Sequence, residues 1–327
     1  MIGPRSVLIK LVALVDRLPL PPPPLRRGKG RPRFYPDRLF LKAVVIMIVR
    51  HLHTAHELLS VLDEHTEEMY RLRGNLVEQE RYPSRRTWER RLNDLPSTLP
   101  AQIGCLGRYL VALIQPFASC GRAAAIDSTT LAARGGVWHK KDRAHGRVPD
   151  TRIDTEAHWT QSGWHGWVYG WKLHLVTTVA AVWIPLAARL TPANRADNEE
   201  ALPLIEELPE EIHYLLGDIH YNAPNVREAW ECEDRLLVVP QYGPYPHDDE
   251  GKEVRRVFHK LRSLAIENFN EQFKSLFDGH GPVPTKGECK TQRFILGAVL
   301  VYQLIVWYRF EHGLNLRSGL KAFLKAA

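Results

Sequence analysis

The sequence contains few cysteines and no cysteine pattern that would bind zinc or build a disulfide framework. Only four occur in 327 residues, and no two of them form a CxxC pair. They are Cys105, Cys120, Cys232 and Cys289. Scattered thiols of this kind are typical of a reducing compartment. We therefore expect a cytoplasmic protein without a structural zinc site.

The sequence also lacks a convincing membrane span. The charge-free stretch FILGAVLVYQLIVWY covers residues 294–308, which is shorter than the ~20 residues that a spanning helix needs. We interpret this stretch as a buried core helix. The opening segment MIGPRSVLIKLVALVDRL is interrupted by Lys10 and is not followed by a small-residue cleavage site. It predicts a helix rather than a signal peptide, and no membrane partner is expected.

Acidic residues are scarce in the first part of the chain. Residues 1–122 contain 20 Lys and Arg against 11 Asp and Glu, a net charge of +9. Residues 123–327 contain 24 against 26, a net charge of −2, which together give the overall +7. A basic region beside a nearly neutral one indicates that the first part binds a polyanion. A basic surface without a specific partner is the alternative.

The first part of the chain predicts helices joined by a linker. Residues 18–33, LPLPPPPLRRGKGRPR, have no hydrophobic period and predict an extended basic linker, either a plain tether or a DNA-contacting arm. We therefore assign residues 1–35 to an N-terminal helix and linker. Residues 36–120 follow a helical pattern, in which Thr54 and Glu57 match a capping box.

An arginine-rich helix is predicted within SRRTWERRLNDL, residues 84–95. Trp88 and Leu92 lie at i, i+4 and form its apolar face. The arginines of this segment are expected on the other faces: Arg85, Arg86, Arg90 and Arg91. Short helices of which the last is arginine-rich are typical of a helix-turn-helix that binds DNA. A small helical bundle with a solvated basic face fits the residues equally well.

After residue 122 the hydrophobic period changes to that of a mixed α/β domain. We assign this domain to residues 121–327. Strands are predicted in GRAAAID, in two runs within residues 169–190, in HYLLGD and in RLLVVPQ. Helices are predicted over residues 197–208 and 255–277. Residues 135–167 predict a long loop, with Asp154 and Glu156 as alternative acids and with aromatic side chains that either stack a base or pack the loop itself.

Two of the predicted strands end in aspartate, namely Asp127 and Asp218. A buried carboxylate is costly unless it caps a turn or binds a cation. If the two strands are neighbours, both carboxylates converge at one edge of the sheet. A third acid on a helix would complete a set of oxygen ligands that suits Mg²⁺. Simple capping of the turns that follow each aspartate remains the alternative from the residues alone.

Five segments resemble the insertion-sequence transposases of the DDE class, and they occur in family order between residues 123 and 277. They are AAAIDSTTL, YGWKLHLV, LTPANRADNEEALPLIEEL, YLLGDIHYNAP and RSLAIENFNEQFKSL. The resemblance implies an RNase-H-like mixed sheet flanked by helices and preceded by a helical DNA-binding region. It also implies a catalytic and metal-binding triad of Asp127, Asp218 and Glu267.

Glu267 is chosen as the third acid because Lys274 follows it by seven residues, a spacing that the family's signature shows. Seven residues is nearly two helical turns, so Lys274 and also Lys260 would share the face of Glu267. The family signature usually has a tyrosine and, four residues before the glutamate, an arginine. Here the corresponding residues are His259 and Arg262, and Arg262 precedes Glu267 by five residues, about 140° away on a regular α-helix. Asn222 also replaces an aspartate that often follows the second acid.

The resemblance implies a DNA transposase that cuts element ends and transfers strands to target DNA with two Mg²⁺ or Mn²⁺ ions. The expected partners are double-stranded DNA, as terminal inverted repeats and target, and a second copy of the chain in a homodimer. The expected DNA-binding residues are Lys172, Lys274, Lys260, Arg85, Arg86 and Arg90. The alternatives are an RNase-H-like hydrolytic nuclease and a catalytically inactive, transposase-derived DNA-binding protein. We expect the protein in the cytoplasm, associated with the nucleoid.

Overall fold

A computed structural model describes residues 6–21, 33–117, 122–163, 166–239, 253, 256–257 and 260–325. The chain divides into two compact units. One contains Met1–Leu106 with Cys289–Ala327, and the other contains Gly107–Glu288. Residues 22–32, most of the predicted linker, lie outside the described residues, and so does His259.

The α-helices of the described residues are numbered in chain order. They are α1 (Val7–Leu14), α2 (Asp37–Val49), α3 (Ala55–Leu62), α4 (Glu67–Gly74), α5 (Arg85–Asp94), α6 (Leu99–Ile114), α7 (Lys140–Ala144), α8 (Asp197–Ile205), α9 (Pro224–Trp230), α10 (Asn268–Leu276), α11 (Glu288–Glu311) and α12 (Leu320–Lys325). The predicted capping box is present, because Thr54 Oγ1 accepts from the Glu57 amide and the Glu57 carboxylate accepts from the His53 amide. Among the described residues up to 114, regular structure is helical, as predicted.

Helix α11 contains the charge-free stretch and is a buried core helix, as predicted. It is long and apolar enough to span a membrane, but 89% of its most apolar window is buried inside the protein. The sequence-based assignment placed this helix in the catalytic domain. The structure instead groups it with the first 106 residues, because Gly297 lies directly against Val44 of α2 and Gln303 Nε2 donates to the Ile103 carbonyl at 2.9 Å.

Helix α5 buries one face and exposes most of its arginines. Trp88 and Leu92 are fully buried, as predicted from their spacing. Arg91 departs from the expectation of an outward arginine, since it is only 4% exposed and its guanidinium donates to the Tyr35 carbonyl and pairs with Asp37. The remaining three are exposed and are called the α5 arginines below: Arg85, Arg86 and Arg90.

A six-stranded mixed sheet forms the centre of the second unit. Its strands are β1 (Ala123–Ala132), β2 (His158–Ser162), β3 (Gly166–Thr178), β4 (Pro185–Pro192), β5 (Tyr214–Leu216) and β6 (Leu236–Val238). Strand β3 pairs antiparallel with β1, β2 and β4, whereas β5 lies parallel to both β1 and β6. The path β4-β3-β1-β5-β6, with helices between and after the last strands, is the RNase-H-like arrangement. The predicted fold class is therefore confirmed.

Strand β2 and helix α7 were not predicted, because both fall within the segment interpreted as a loop. The strand sequence HWTQS is polar and has no run of β-branched residues. Its strand conformation comes from pairing with β3, from His158 opposite Gly170 to Ser162 opposite Gly166. Gly170 is required at this point of the sheet, because a Cβ there would lie 2.0 Å from the Leu131 carbonyl oxygen.

Candidate active site

Asp127 and Asp218 are brought side by side by the parallel pairing of β1 with β5. The register pairs Ala123 with Tyr214 and Ala125 with Leu216, an offset of 91 residues. Asp218 follows β5 with an extended backbone (φ −81°, ψ −175°) and lies 91 residues after Asp127 (218 − 127), so it continues the same register. Neighbouring strands are about 4.8 Å apart. The two aspartates are therefore neighbours where the short strand β5 ends.

Glu267 lies at the end of a π-helical turn, Ser263–Glu267, that continues into α10. The amide of Asn268 bonds to the carbonyl of Ser263, five residues earlier. Residues five apart are stacked by a π turn much as residues four apart are stacked by an α turn. The 140° separation expected between Arg262 and Glu267 is therefore wrong, because it assumed a regular α-helix. The two side chains share a face, and Arg262 Nη1 lies 3.9 Å from Glu267 Oε1.

The three predicted acids line one cavity of about 390 Å³ in the second unit. Arg262 lies within this acid cavity as well, with Nη2 3.5 Å from Asp127 Oδ2. One guanidinium thus contacts both Asp127 and Glu267. The cavity wall is completed by hydroxyl and amide groups of β1 and β2. It is therefore a polar cavity in which negative charge is concentrated.

Asp127 carries the most perturbed carboxyl group of the cavity. Its pKa is raised to about 6, chiefly by burial; the positive charge of Arg262 opposes this rise, and the nearby negative charges of Asp218 and Asp197 contribute to it. Only 16% of the side chain is exposed, and Oδ1 accepts from the Ser128 amide at 2.9 Å. The carboxylate is therefore held in an environment that favours either a proton or a cation.

Asp218 is positioned by the turn that follows β5. Its Oδ1 accepts from the His220 amide at 2.9 Å, and its Oδ2 lies 3.1 Å from His220 Nδ1. This contact is the turn cap that the sequence left open as the alternative to a metal role. Gly217 lets the turn close, because a Cβ there would lie 3.0 Å from the Cβ of the buried Tyr221. Capping orients the carboxylate toward the cavity and leaves about a quarter of it, 27%, exposed.

Lys172 lines the acid cavity, but its ammonium is paired. Only 8% of the residue is exposed, and Nζ lies 3.2 Å from Asp197 Oδ1 and 3.1 Å from the Arg195 carbonyl. His174 Nδ1 lies 3.4 Å from the same Asp197 oxygen, and burial lowers the pKa of this histidine to about 4, so its ring is neutral near pH 7. Asp197 thus fixes Lys172, and the predicted contact of Lys172 with DNA stays a prediction.

Of the remaining residues predicted to bind DNA, one lines the acid cavity, one lies on the surface of the second unit and three belong to the first unit. Lys274 lines the cavity together with Glu267, as its seven-residue spacing predicted. Burial lowers the pKa of its ammonium, whereas Glu271 and Asp127 oppose that change. Lys260 is exposed and does not line the cavity, and the α5 arginines belong to the first unit. Their contacts with DNA stay predictions.

The donor set of the acid cavity fits a divalent cation of the Mg²⁺ kind. Its three candidate ligands are carboxylates, which such hard cations prefer, and repulsion between Asp127 and Asp218 would be relieved by a cation. In the present conformation the guanidinium of Arg262 supplies this positive charge. In that conformation the described residues contain no group of three or more His, Cys, Asp or Glu side chains close enough together to hold a metal.

The RNase-H-like sheet carries a polar cavity lined by Asp127, Asp218 and Glu267. The sequence matches the family described as "Transposase DDE domain" over residues 118–304. The chain belongs to this family and is an enzyme of the transposase kind. No curated protein matches it.

Several solved transposase structures resemble the chain at low sequence identity. A cryo-EM structure of a piggyBac transposase synaptic complex with hairpin DNA is 10% identical, with 97% of this chain and 75% of that chain covered and a TM-score of 0.41. A Mos1 transposase paired-end complex with the left transposon end is 13% identical, with 88% and 80% covered and a TM-score of 0.22. The assignment depends on the family match and not on these similarities.

Two residues of the acid cavity were given no role by the sequence reasoning. Arg262 was set aside because its spacing from Glu267 does not fit an α-helix, although a one-residue excess before a functional glutamate is the signal of a π turn. Asp197 was read only as part of an amphipathic helix. Its position at the first residue of α8, directly after the edge of β4, is the signal that could have identified it.

Proposed function

We propose that the protein is the transposase of an insertion sequence, which cleaves DNA strands at the element ends and joins the freed ends to target DNA. The observation that carries this proposal is the convergence of Asp127, Asp218 and Glu267 on one cavity within a transposase DDE domain. Each acid comes from a different element of the fold. If one of them had only a structural role, the other two would not need to lie in the same cavity.

Asp127, Asp218 and Glu267 would hold Mg²⁺ or Mn²⁺, two ions in the full site. When bound, these ions lower the pKa of a water or 3′-hydroxyl and neutralise charge on the phosphodiester. Asp127 and Asp218 are register neighbours, and both would serve as ligands. Glu267 is 53% exposed and would contribute from the solvent side of the cavity.

The cations of the site would orient the DNA backbone rather than react. Lys274 lines the cavity on the same helix as Glu267, so its ammonium can approach a phosphate that lies across the carboxylates. Lys260 is exposed on the same helical segment and would contact DNA farther out. In the first unit, the α5 arginines would bind the terminal repeats. We also propose that the protein acts as a homodimer and is located on the nucleoid.

Strand cleavage and joining can be tested with a purified chain and a DNA fragment that carries one element end. The wild-type protein should nick this fragment in Mg²⁺ and then join the 3′ end to a second DNA. Asp218→Ala should bind the fragment as well as wild type does but should not cut it. As a matched control, Glu210→Ala removes an exposed carboxylate of the same unit that does not line the acid cavity, and it should cut.

The same assay separates the alternatives. Cutting without joining would identify a hydrolytic nuclease with the same fold. Binding without cutting by the wild-type protein, in both Mg²⁺ and Mn²⁺, would identify an inactive DNA-binding protein and would overturn the proposal. Retained cutting by Asp218→Ala would remove Asp218 from the mechanism.

A further inference from the structure

Arg262 forms an internal bridge between two of the predicted metal ligands. Its Nη2 lies 3.5 Å from Asp127 Oδ2 and its Nη1 lies 3.9 Å from Glu267 Oε1. Only 15% of the arginine side chain and 16% of the Asp127 side chain are exposed. Water therefore screens the Asp127 contact less than it screens an ordinary surface ion pair. Of the other two cations that line the cavity, Lys172 is already held by Asp197, and Lys274 interacts electrostatically with Glu271 as well as with Asp127.

The bridge exists because of the π turn at Ser263–Glu267. With a regular α-helix through this segment, Arg262 would point about 140° away from Glu267. The extra residue of the turn rotates the guanidinium back over the carboxylates. Such turns are rare within α-helices and are frequently found at functional sites. The position of Arg262 is therefore a specific feature of this helix and not a chance contact of a long surface side chain.

The bridged arginine is incompletely satisfied. Among the described residues, no group accepts a hydrogen bond from its buried Nε. Its contacts with the two carboxylates, at 3.5 and 3.9 Å, are also longer than the 2.7–2.9 Å of a strong charge-assisted hydrogen bond. The guanidinium thus neutralises the cavity without being fixed in it, and movement outward would let Nε reach water.

We propose that Arg262 is a counter-cation that stabilises the metal-free acid cavity and must move aside when Asp127 and Glu267 bind a divalent ion. The proposal rests on the metal site of the proposed function. A guanidinium and a divalent ion compete for the same carboxylate oxygens. With the ion about 2.1 Å from those oxygens, an unmoved Arg262 would leave two positive charges a few ångströms apart. Arg262 is thus a positioning residue that sets how readily the cavity takes up metal.

Binding of Mn²⁺ to the full chain without DNA tests this inference, with free Mn²⁺ followed by its electron paramagnetic resonance signal. Arg262→Gln should bind Mn²⁺ more tightly than wild type, on the order of tenfold. Arg134→Gln is the matched control, because it removes one exposed positive charge of the same unit, whose guanidinium donates to the Pro284 carbonyl and which does not line the acid cavity. This control should bind as wild type does.

Thermal unfolding gives a second readout that does not depend on activity. In EDTA, Arg262→Gln should unfold at a lower temperature than wild type, because its carboxylates have lost their counter-cation. Added Mn²⁺ should raise its unfolding temperature by more than it raises that of wild type. Arg262→Lys keeps one positive charge but cannot bridge two carboxylates through a planar fork, so its Mn²⁺ affinity should lie between the other two.

The outcomes separate this inference from the proposed function. If Arg262→Gln and Arg262→Lys both bind Mn²⁺ no more tightly than wild type, the counter-cation role is wrong while the metal site stands. If none of the proteins binds Mn²⁺, the metal site itself is wrong, and the inference is wrong with it. If Arg262→Gln does not fold, an Arg262→Lys affinity equal to that of wild type would contradict the bridge.

Discussion

The raised pKa of Asp127 predicts that the acid cavity destabilises the metal-free protein. A carboxyl group whose pKa is higher in the folded state takes up protons more readily when folded, so folding is disfavoured as the pH rises from about 4 to 6. The rise from 3.8 to about 6 corresponds, at about 1.4 kcal/mol per pKa unit, to about 3 kcal/mol. Asp127→Asn is uncharged and can keep the Ser128 hydrogen bond, so it should avoid this cost.

The expected result is a stability difference that depends on pH. In EDTA at pH 8, Asp127→Asn should unfold at a temperature roughly 6–12 °C higher than wild type, for a unit of this size. The difference should shrink as the pH falls through 6 and should vanish near pH 4. Thermal unfolding across this pH range measures the difference in unfolding temperature. Added Mn²⁺ at pH 8 should make that difference smaller, because it should stabilise wild type alone. A variant that is equally stable or less stable at pH 8 would refute the reasoning.

Three further predictions concern the parts of the fold that support the site. Gly170→Ala should destabilise the second unit by more than ~2 kcal/mol, because its Cβ would clash with the Leu131 carbonyl, and chemical denaturation should show this. Asp197→Asn should cost about 3 kcal/mol by leaving Lys172 buried without its counter-charge, whereas the double variant with Lys172→Met should recover much of that loss. An equal loss in the double variant would argue against the pair. Replacing the α5 arginines by glutamine should weaken binding to an element end and reduce the slope of log affinity against log salt by up to about 3, and an unchanged slope would exclude them from the interface.

The convergence of the first two acids could be expected from the sequence only on the condition that their strands are neighbours. Asp218 follows the end of β5 as predicted, but Asp127 lies inside β1, which continues to Ala132. Each aspartate ends a short apolar run, and the 91-residue separation of Asp127 and Asp218 equals the register offset of β1 and β5. Parallel neighbours in a sheet bring such residues together whatever lies between them in sequence. The choice of Glu267 came instead from the family resemblance.

The position of Arg262 beside Glu267 could not be predicted, because the chain forms a π turn where the sequence pattern predicts a regular α-helix. Hydrophobic patterning does not distinguish one extra residue in a turn from a shift of the whole helix. Strand β2 was missed for a related reason, since its five residues have no strand pattern of their own and are ordered by β3. Tertiary contacts override local preference in both cases.

The grouping of α11 with the first 106 residues could not be predicted from its sequence. Its sequence shows that the helix is buried on all sides, and this prediction is confirmed. Burial on all sides does not say which neighbours surround the helix, since any apolar partners satisfy it. The contacts that decide the matter, such as Gly297 against Val44, join residues far apart in the chain. Contacts of this kind cannot be predicted from a local sequence pattern.

The central claim is that Asp127, Asp218 and Glu267 together bind the divalent ion that cleaves DNA. The most direct test is a crystal structure of the protein soaked with Mn²⁺, in which anomalous scattering locates the metal. The account predicts a peak within about 2.5 Å of carboxylate oxygens of both Asp127 and Asp218, with Arg262 displaced toward solvent. A well-ordered cavity without a peak, or a peak bound by other residues alone, would contradict it.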